Sequence, residues 1–246
     1  MSIKENERGF SLVELLIVMP IIALITGTLF MYMFAQYGHM INETTEANLR
    51  LEAQTMLLNL EDELLFTTEY GSTTIGGSLA LTDPYAPSGG WKNNTSPNTL
   101  IIYETALDSD RRDPNRDFIY KNQYGCSSGY NQIAINNLVY FTKNNSNNNY
   151  KTLYKRTLTP QYSICGVNFK VQTCPNQYVG TGPCVAPDAE LTNKLIDFQV
   201  AYFDENNNAT TVPGSAEKVE LTVTLGDDSF GEEIRVTSKF IMKKIN

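Results

Sequence analysis

The pattern of apolar and polar positions divides the chain in two. Residues 15–41 hold no Asp, Glu, Lys or Arg, and as a helix they would extend about 40 Å, enough to cross a hydrocarbon core of about 30 Å once. Residues 42–66 change character. Leu49, Ala53, Met56, Leu60 and Leu64 recur at spacings of four, three, four and four, with Glu43, Glu46, Arg50, Glu52, Asn59 and Glu61 between them. That period places one buried stripe on an amphipathic helix. The two stretches join as one long helix, apolar first and amphipathic second. Pro20 lacks a backbone donor and clashes with the preceding turn, so a kink or helix break is expected there, with Gly27 as a second weak point.

Past residue 66 the pattern turns to strands and loops. Residues 67–99 are rich in Gly, Ser, Thr, Pro and Asn and read as a long loop with one short strand. Leu100-Ile101-Ile102-Tyr103-Glu104 has strand character, and Phe118-Ile119-Tyr120-Lys121 reads as its return. Residues 137–143 and 150–158 bracket Asn144-Asn145-Ser146-Asn147-Asn148-Asn149, a hairpin with a polar tip. Strands are further expected over residues 193–204, over 219–225, where Val219, Leu221, Val223 and Leu225 alternate with polar residues, and over 234–242. The fold class is therefore α+β, a long N-terminal helix packed on an antiparallel β-sheet head.

Composition narrows the function. An apolar fraction of 41% is ordinary for one soluble domain on an anchor. A net charge of -8 and pI near 4.8 argue against a DNA-binding surface built by neutralising phosphates. Residues 1–9 contribute Lys4 and Arg8 against Glu5 and Glu7, so removing them leaves the balance at -8. Cys126, Cys165, Cys174 and Cys184 all follow the apolar run, and export would carry them where disulfides persist. The pairing expected is Cys174 with Cys184, closing a Gly- and Pro-rich loop poor in apolar residues, and Cys126 with Cys165. Zinc is disfavoured, since there is no C-x-x-C pair and the lone His39 sits at the edge of the apolar run. Residues 108–117 hold Asp108, Asp110, Asp113 and Asp117 but also three arginines, without the glycine and distal glutamate of a calcium loop, so a solvated turn is preferred to a calcium site. No metal and no cofactor is expected. No catalytic residue is expected either, because the chain has no nucleophile elbow, phosphate loop or H-E-x-x-H. A serine and lysine pairing stays open at this point.

The remaining signal is Gly9-Phe10-Ser11-Leu12-Val13-Glu14 leading into the aliphatic run. It resembles the cleavage and methylation site of type IV prepilins. A secretory signal fits worse, since its apolar region is about 7 to 15 residues and ends in a small-x-small site. The resemblance implies a type IV pilin fold, cutting after Gly9 by a prepilin peptidase, N-methylation of Phe10, and pairing of Glu14 with a neighbouring subunit's terminal amine. A carboxylate in lipid costs about 2.5 to 3.5 kcal/mol or more, which marks Glu14 as a functional candidate. The other reading of Glu14 is an interfacial residue that begins the helix at its positive dipole end.

The organisation implied is a prepilin leader at 1–9, a transmembrane and assembly half of the helix at 10–41, an amphipathic half at 42–66, and an extracellular head at 67–246. Roughly residues 137–246, with a tyrosine-bearing hairpin ending in Leu153-Tyr154-Lys155-Arg156, then Leu195 to Asp204, then Ala216 to Leu225, are similar to minor pilins of the PilW and pseudopilin J kind. The expected function is thus a minor pilin, at low copy at or near the tip of a type IV pilus, serving assembly initiation and surface adhesion or twitching motility. A pseudopilin of a type II secretion system and an anchored extracellular binding protein are the alternatives. Partners implied are the peptidase, other major and minor pilins, the inner-membrane assembly platform and the membrane itself. Tyr85, Tyr103, Tyr120, Tyr124 and Tyr130 suit a host or surface ligand, or serve as ordinary half-buried tyrosines. The expected location is the inner membrane, single-pass, and then the extracellular pilus.

Overall fold

A computed structural model of the chain describes residues 11–64, 67–74, 83–93, 99–122, 126, 132–145, 149–160 and 164–243. Helix α1 (Leu12–Leu64) is followed by β1 (Thr67–Gly71), β2 (Leu100–Thr105), β3 (Tyr120–Lys121), β4 (Ile135–Asn144), β5 (Lys151–Leu158) and β6 (Ile164–Cys165). Then come β7 (Thr173–Cys174), β8 (Ala186–Pro187), β9 (Ala189–Phe203), β10 (Ala209–Thr210), β11 (Lys218–Ser229) and β12 (Glu232–Lys243). The main sheet runs β1-β2-β4-β5-β9-β11-β12, antiparallel throughout, with β10 added against β9. Its long strands are neighbours in chain order, so the sheet is a meander whose connections have been lengthened by insertions.

The helix crosses these strands in succession. Asn42 and Thr45 bond to Glu232 and Ser229 at the β11–β12 turn, Glu52 accepts from Thr192 on β9, and Glu63 meets Tyr140 on β4 and Lys155 on β5. Leu49, Ala53, Met56 and Leu60 are buried against the sheet, with Leu57 beside them. A fully buried leucine contributes about 1.5–3 kcal/mol of transfer free energy, so this stripe fixes how the helix lies.

On β11, Val219, Leu221, Val223 and Leu225 face the helix while Glu220, Thr222 and Thr224 face away, half-buried. β2 and β4 instead bury both faces. Leu100, Ile102, Leu138 and Tyr140 join the helix-side core, and Ile101, Tyr103, Val139 and Phe141 form a second core with Trp91 and Leu158. That is why β2 reads as a continuous apolar run rather than an alternation.

Two expectations are corrected. Phe118-Ile119-Tyr120-Lys121 is not the return of β2, which pairs with β1 and β4. Only an isolated bridge joins Leu107 to Phe118, and β3 pairs with β6 in a separate two-stranded sheet. The ten residues 108–117 form an ordered excursion rather than a hairpin turn, which leaves both edges of β2 to longer partners. The helix break expected at Pro20 and Gly27 is also absent, because α1 is unbroken from Leu12 to Leu64. A proline removes one backbone bond, and the flanking helical bonds persist around it. At Gly27 a Cβ would meet nothing within 4 Å, so no packing demand acts there.

Candidate functional site

The first half of α1 stands clear of the head. Every residue from 12 to 37 is exposed, and Gly38 is the first buried position. This part of the helix is long and apolar enough to cross a membrane, and its most apolar stretch is nowhere buried against the head. It fits a single membrane anchor near the N-terminus.

At its start Ser11 is the N-cap residue. Its carbonyl accepts from Leu15 N (3.2 Å), and its own N–H donates to Glu14 Oε2 (3.1 Å). This is the reciprocal half of a capping box, in which the residue at the third helical position satisfies an orphan N–H at the cap. Within a single chain, then, Glu14 begins its own helix. Gly9 and Phe10 lie outside the described residues.

The other end of the helix shows what the sequence left unread. The last turn carries Glu61, Asp62 and Glu63 and no basic residue, an unfavourable arrangement beside the negative end of the helix dipole. The compensation comes from distant segments. Arg111 and Arg112 both reach Asp62 Oδ2, at 2.5 and 2.6 Å. Lys155 donates to Glu63 Oε1 at 2.6 Å, and the Tyr140 hydroxyl donates to Glu63 Oε2. Burial acts to raise Asp62, but Arg111 and then Arg112 hold it below the ordinary carboxylate value. Burial likewise opposes ionisation of Glu63, yet the charges of Lys155 and Lys170 bring it below the usual range.

Residues 108–117, weighed above as a turn or a calcium loop, are therefore the clamp on the helix end. Their carboxylates are occupied locally. Asp108, Asp110 and Asp113 accept from the backbone N–H groups of Asp117, Arg112 and Asn115. Among the described residues no three His, Cys, Asp or Glu side chains gather as metal ligands.

Beside this clamp is a polar cleft of about 160 Å³ lined by Glu63, Glu104, Ser109, Arg111, Asn136 and Lys170, among others. Lys170 Nζ lies 2.5 Å from Glu104 Oε2, and Asn168 donates to Asn136 at 2.6 Å. Burial raises Glu104 above its ordinary value despite Lys170. Ser109 donates to Asp108 at 3.1 Å rather than to a lysine. The cleft thus joins charges to one another and holds the helix end.

On the opposite face of the sheet Arg156 is 1% exposed and forks onto Asp188 while also donating to Asp83 Oδ2 at 2.9 Å. Trp91 Nε1 donates to the same Asp83 oxygen at 2.6 Å, and the guanidinium lies 5.4 Å from the Trp91 ring. The period of β5 puts Arg156 on the face of Leu158, so an arginine on an apolar face was the sequence signal for this cluster.

Cys126 is bonded to Cys165 and Cys174 to Cys184. The first bond ties residue 126 to β6, and the second closes a loop that seats Tyr178 on Tyr85, with ring centroids 4.2 Å apart. The Tyr85 hydroxyl reaches Thr181 at 2.9 Å, and Tyr103 is buried and donates to Thr73 O. These two rings are committed to internal packing, Tyr120 is half-buried on β3, and Tyr124 and Tyr130 lie outside the described residues.

A family model described as the prokaryotic N-terminal methylation motif matches residues 4–30. No curated protein and no solved structure matches the chain. The motif implies processing by a prepilin peptidase and assembly with other pilins in the membrane, and it suggests a structural role rather than catalysis. With the long helix packed on an antiparallel sheet, the methylation motif supports a type IV pilin-like protein.

Proposed function

We propose that the chain is a minor pilin, cut between Gly9 and Phe10 and incorporated at low copy at or near the tip of a type IV pilus, where it contributes to assembly initiation and surface contact. The carrying observation is the methylation motif running without interruption into a helix half that is exposed over residues 12–37. Such a surface is stable in lipid or against other apolar helices, and a filament core of helices supplies the second. The minor rather than major role is supported by the bulk of the head. Its sheet is covered on one side by the helix and in part on the other by a second core of loops and disulfide-closed segments, and so large a unit packs more readily at the end of a filament than along it.

Intact-mass analysis of the membrane form and quantitative mass spectrometry of sheared filaments test this together. A mature N-terminus at Phe10 and a few copies per filament are expected. Retention of Arg8, or normal processing of Gly9→Val, overturns the prepilin reading. A copy number near that of the bulk subunit overturns the minor role, and absence from pili beside a secretion set favours the pseudopilin alternative.

A further inference from the structure

The turn joining β11 to β12 departs from what its geometry favours. Ser229 pairs with Glu232, leaving a two-residue turn of Phe230 and Gly231 with φ of 47° and 82°. Both central residues are left-handed, a geometry that selects Asn, Asp or Gly at the first position. A bulky side chain there is an outlier, and the inference runs from outlier to function. The helix position it touches is equally unusual. Gly38 lies mid-helix, where glycine is disfavoured, and a Cβ on it would stand 3.0 Å from Cδ1 and Cε1 of Phe230. Two locally unfavourable residues meet in one contact, yet Phe230 remains 62% exposed. Packing on the helix accounts for only part of the ring.

The position of the contact along the helix explains the rest. Gly38 is where the exposed half of α1 meets the head. If hydrocarbon begins near Leu15, about 20 residues of helix carry it to residue 34 or 35, and Gly38 falls about 5 Å beyond, within the interfacial layer that extends a bilayer from about 30 Å to about 40–45 Å. Tyr32 and Tyr37 are exposed on the helix on either side of that boundary, where amphipathic aromatic rings concentrate. We infer that the β11–β12 turn is a membrane-contacting tip: before assembly, the exposed part of the Phe230 ring rests in the interfacial layer of the bilayer and fixes the height and tilt of the head. Nearby Asp227 and Glu233 are ion-paired to Lys194 and Arg235, so the tip carries its apolar residue forward with part of its acidity neutralised. This inference rests on the anchor reading of α1 and not on the minor-pilin role.

The test uses the full chain in zwitterionic vesicles whose lipids are brominated high on the acyl chain. The wild-type chain supplies the background, since its single tryptophan, Trp91, is buried in the head. Phe230→Trp should add emission that is shifted to the blue and largely lost to the brominated lipid, at a density of one chain per vesicle. Phe34→Trp reports on the anchor independently. Quenching of Phe34→Trp without quenching of Phe230→Trp overturns the inference and leaves the anchor standing, whereas absence of both overturns the anchor itself. A blue shift at position 230 that develops only at high chain density assigns the ring to a contact between copies and also overturns it. A nitrile-bearing phenylalanine in place of Phe230 keeps the ring's shape, and its stretching frequency gives the same discrimination between water and lipid if the tryptophan variant fails to fold.

Discussion

Arg156 meets Asp188 fork to fork, Nε to Oδ1 at 2.9 Å and Nη2 to Oδ2 at 2.6 Å, with both side chains almost wholly out of water. The pair spans 32 residues, and a second arm of the guanidinium takes Asp83 from 73 residues away. It therefore pins the 83–93 loop and the start of β9 to the outer face of the sheet. The cation is outnumbered by two carboxylates, and the Trp91, Tyr85 and Thr173 donors to Asp83 and Asp188 spread the excess charge.

Removing the cation leaves two buried carboxylates facing each other. Arg156→Met should cost about 3–5 kcal/mol, read as a lowered midpoint of denaturant unfolding. Arg156→Lys should recover only part of that, because a lysine cannot fork onto one carboxylate while reaching a second. Equal stability of the lysine variant and the wild type would mean that charge alone, not the bidentate geometry, holds the loop.

The clamp at the helix end is a matter of pH. Glu63 has a folded-state pKa below its ordinary 4.5, owing to Lys155 and Lys170 acting against burial. It therefore contributes stability above pH 4.5, and the contribution is lost as pH falls through the lower folded value. Glu104 works the other way. Burial raises its pKa, so its ionisation weighs against the fold as pH rises through the ordinary value of 4.5 and beyond. Glu63→Gln should be about 1–3 kcal/mol less stable than wild type at pH 7, the two converging as pH drops below 4.5. Parallel pH profiles would remove Glu63 from the clamp.

The two disulfides close loops of different length, with sequence separations of 39 and 10. In the chain-entropy model these give about 4 and about 3 kcal/mol. Cys126→Ser with Cys165→Ser should thus lose more stability than Cys174→Ser with Cys184→Ser. The shorter loop carries a second consequence, since it holds Tyr178 against Tyr85. Its loss should raise hydrogen exchange in residues 83–93 while leaving β2 and β4 protected.

Legibility followed the range of the interaction. The stripe Leu49, Ala53, Met56 and Leu60 and the alternation of Val219 to Leu225 were readable because helix and strand periods are local. The partners of β2 were not, since Ile119 and Val139 offer equally apolar edges and only the length of the available strand decides between them. The clamp was hidden for a different reason. Asp62 and Arg111 lie 49 residues apart, and each looks like a solvated charge within its own segment. That Glu14 begins the helix was legible as one of two readings, through the helix dipole alone, whereas its bond to the Ser11 N–H was not read although Ser11 and Glu14 have capping-box spacing.

That capping bond makes Glu14→Gln a sharper experiment than charge removal alone. Gln accepts from the Ser11 N–H through its amide oxygen as Glu14 does now, and Gln serves the capping box nearly as well as Glu. The helix start is therefore kept while the negative charge is lost. If Glu14 only begins the helix, Glu14→Gln should leave cleavage, insertion, piliation and the pull-down of pilus partners unchanged, and Glu14→Ala should fray the first turn. If Glu14 instead meets a neighbouring subunit's terminal amine, Glu14→Gln should still be cleaved after Gly9 and still insert, yet join or initiate pili poorly. In low dielectric the attraction between carboxylate and ammonium is strong, but desolvation cancels much of it, so the expected defect is in register and entry into the filament rather than in fold. Filament counts per cell, together with the content of this subunit in sheared pili, separate the two outcomes. Normal piliation by Glu14→Gln would confine Glu14 to the cap it makes on its own chain.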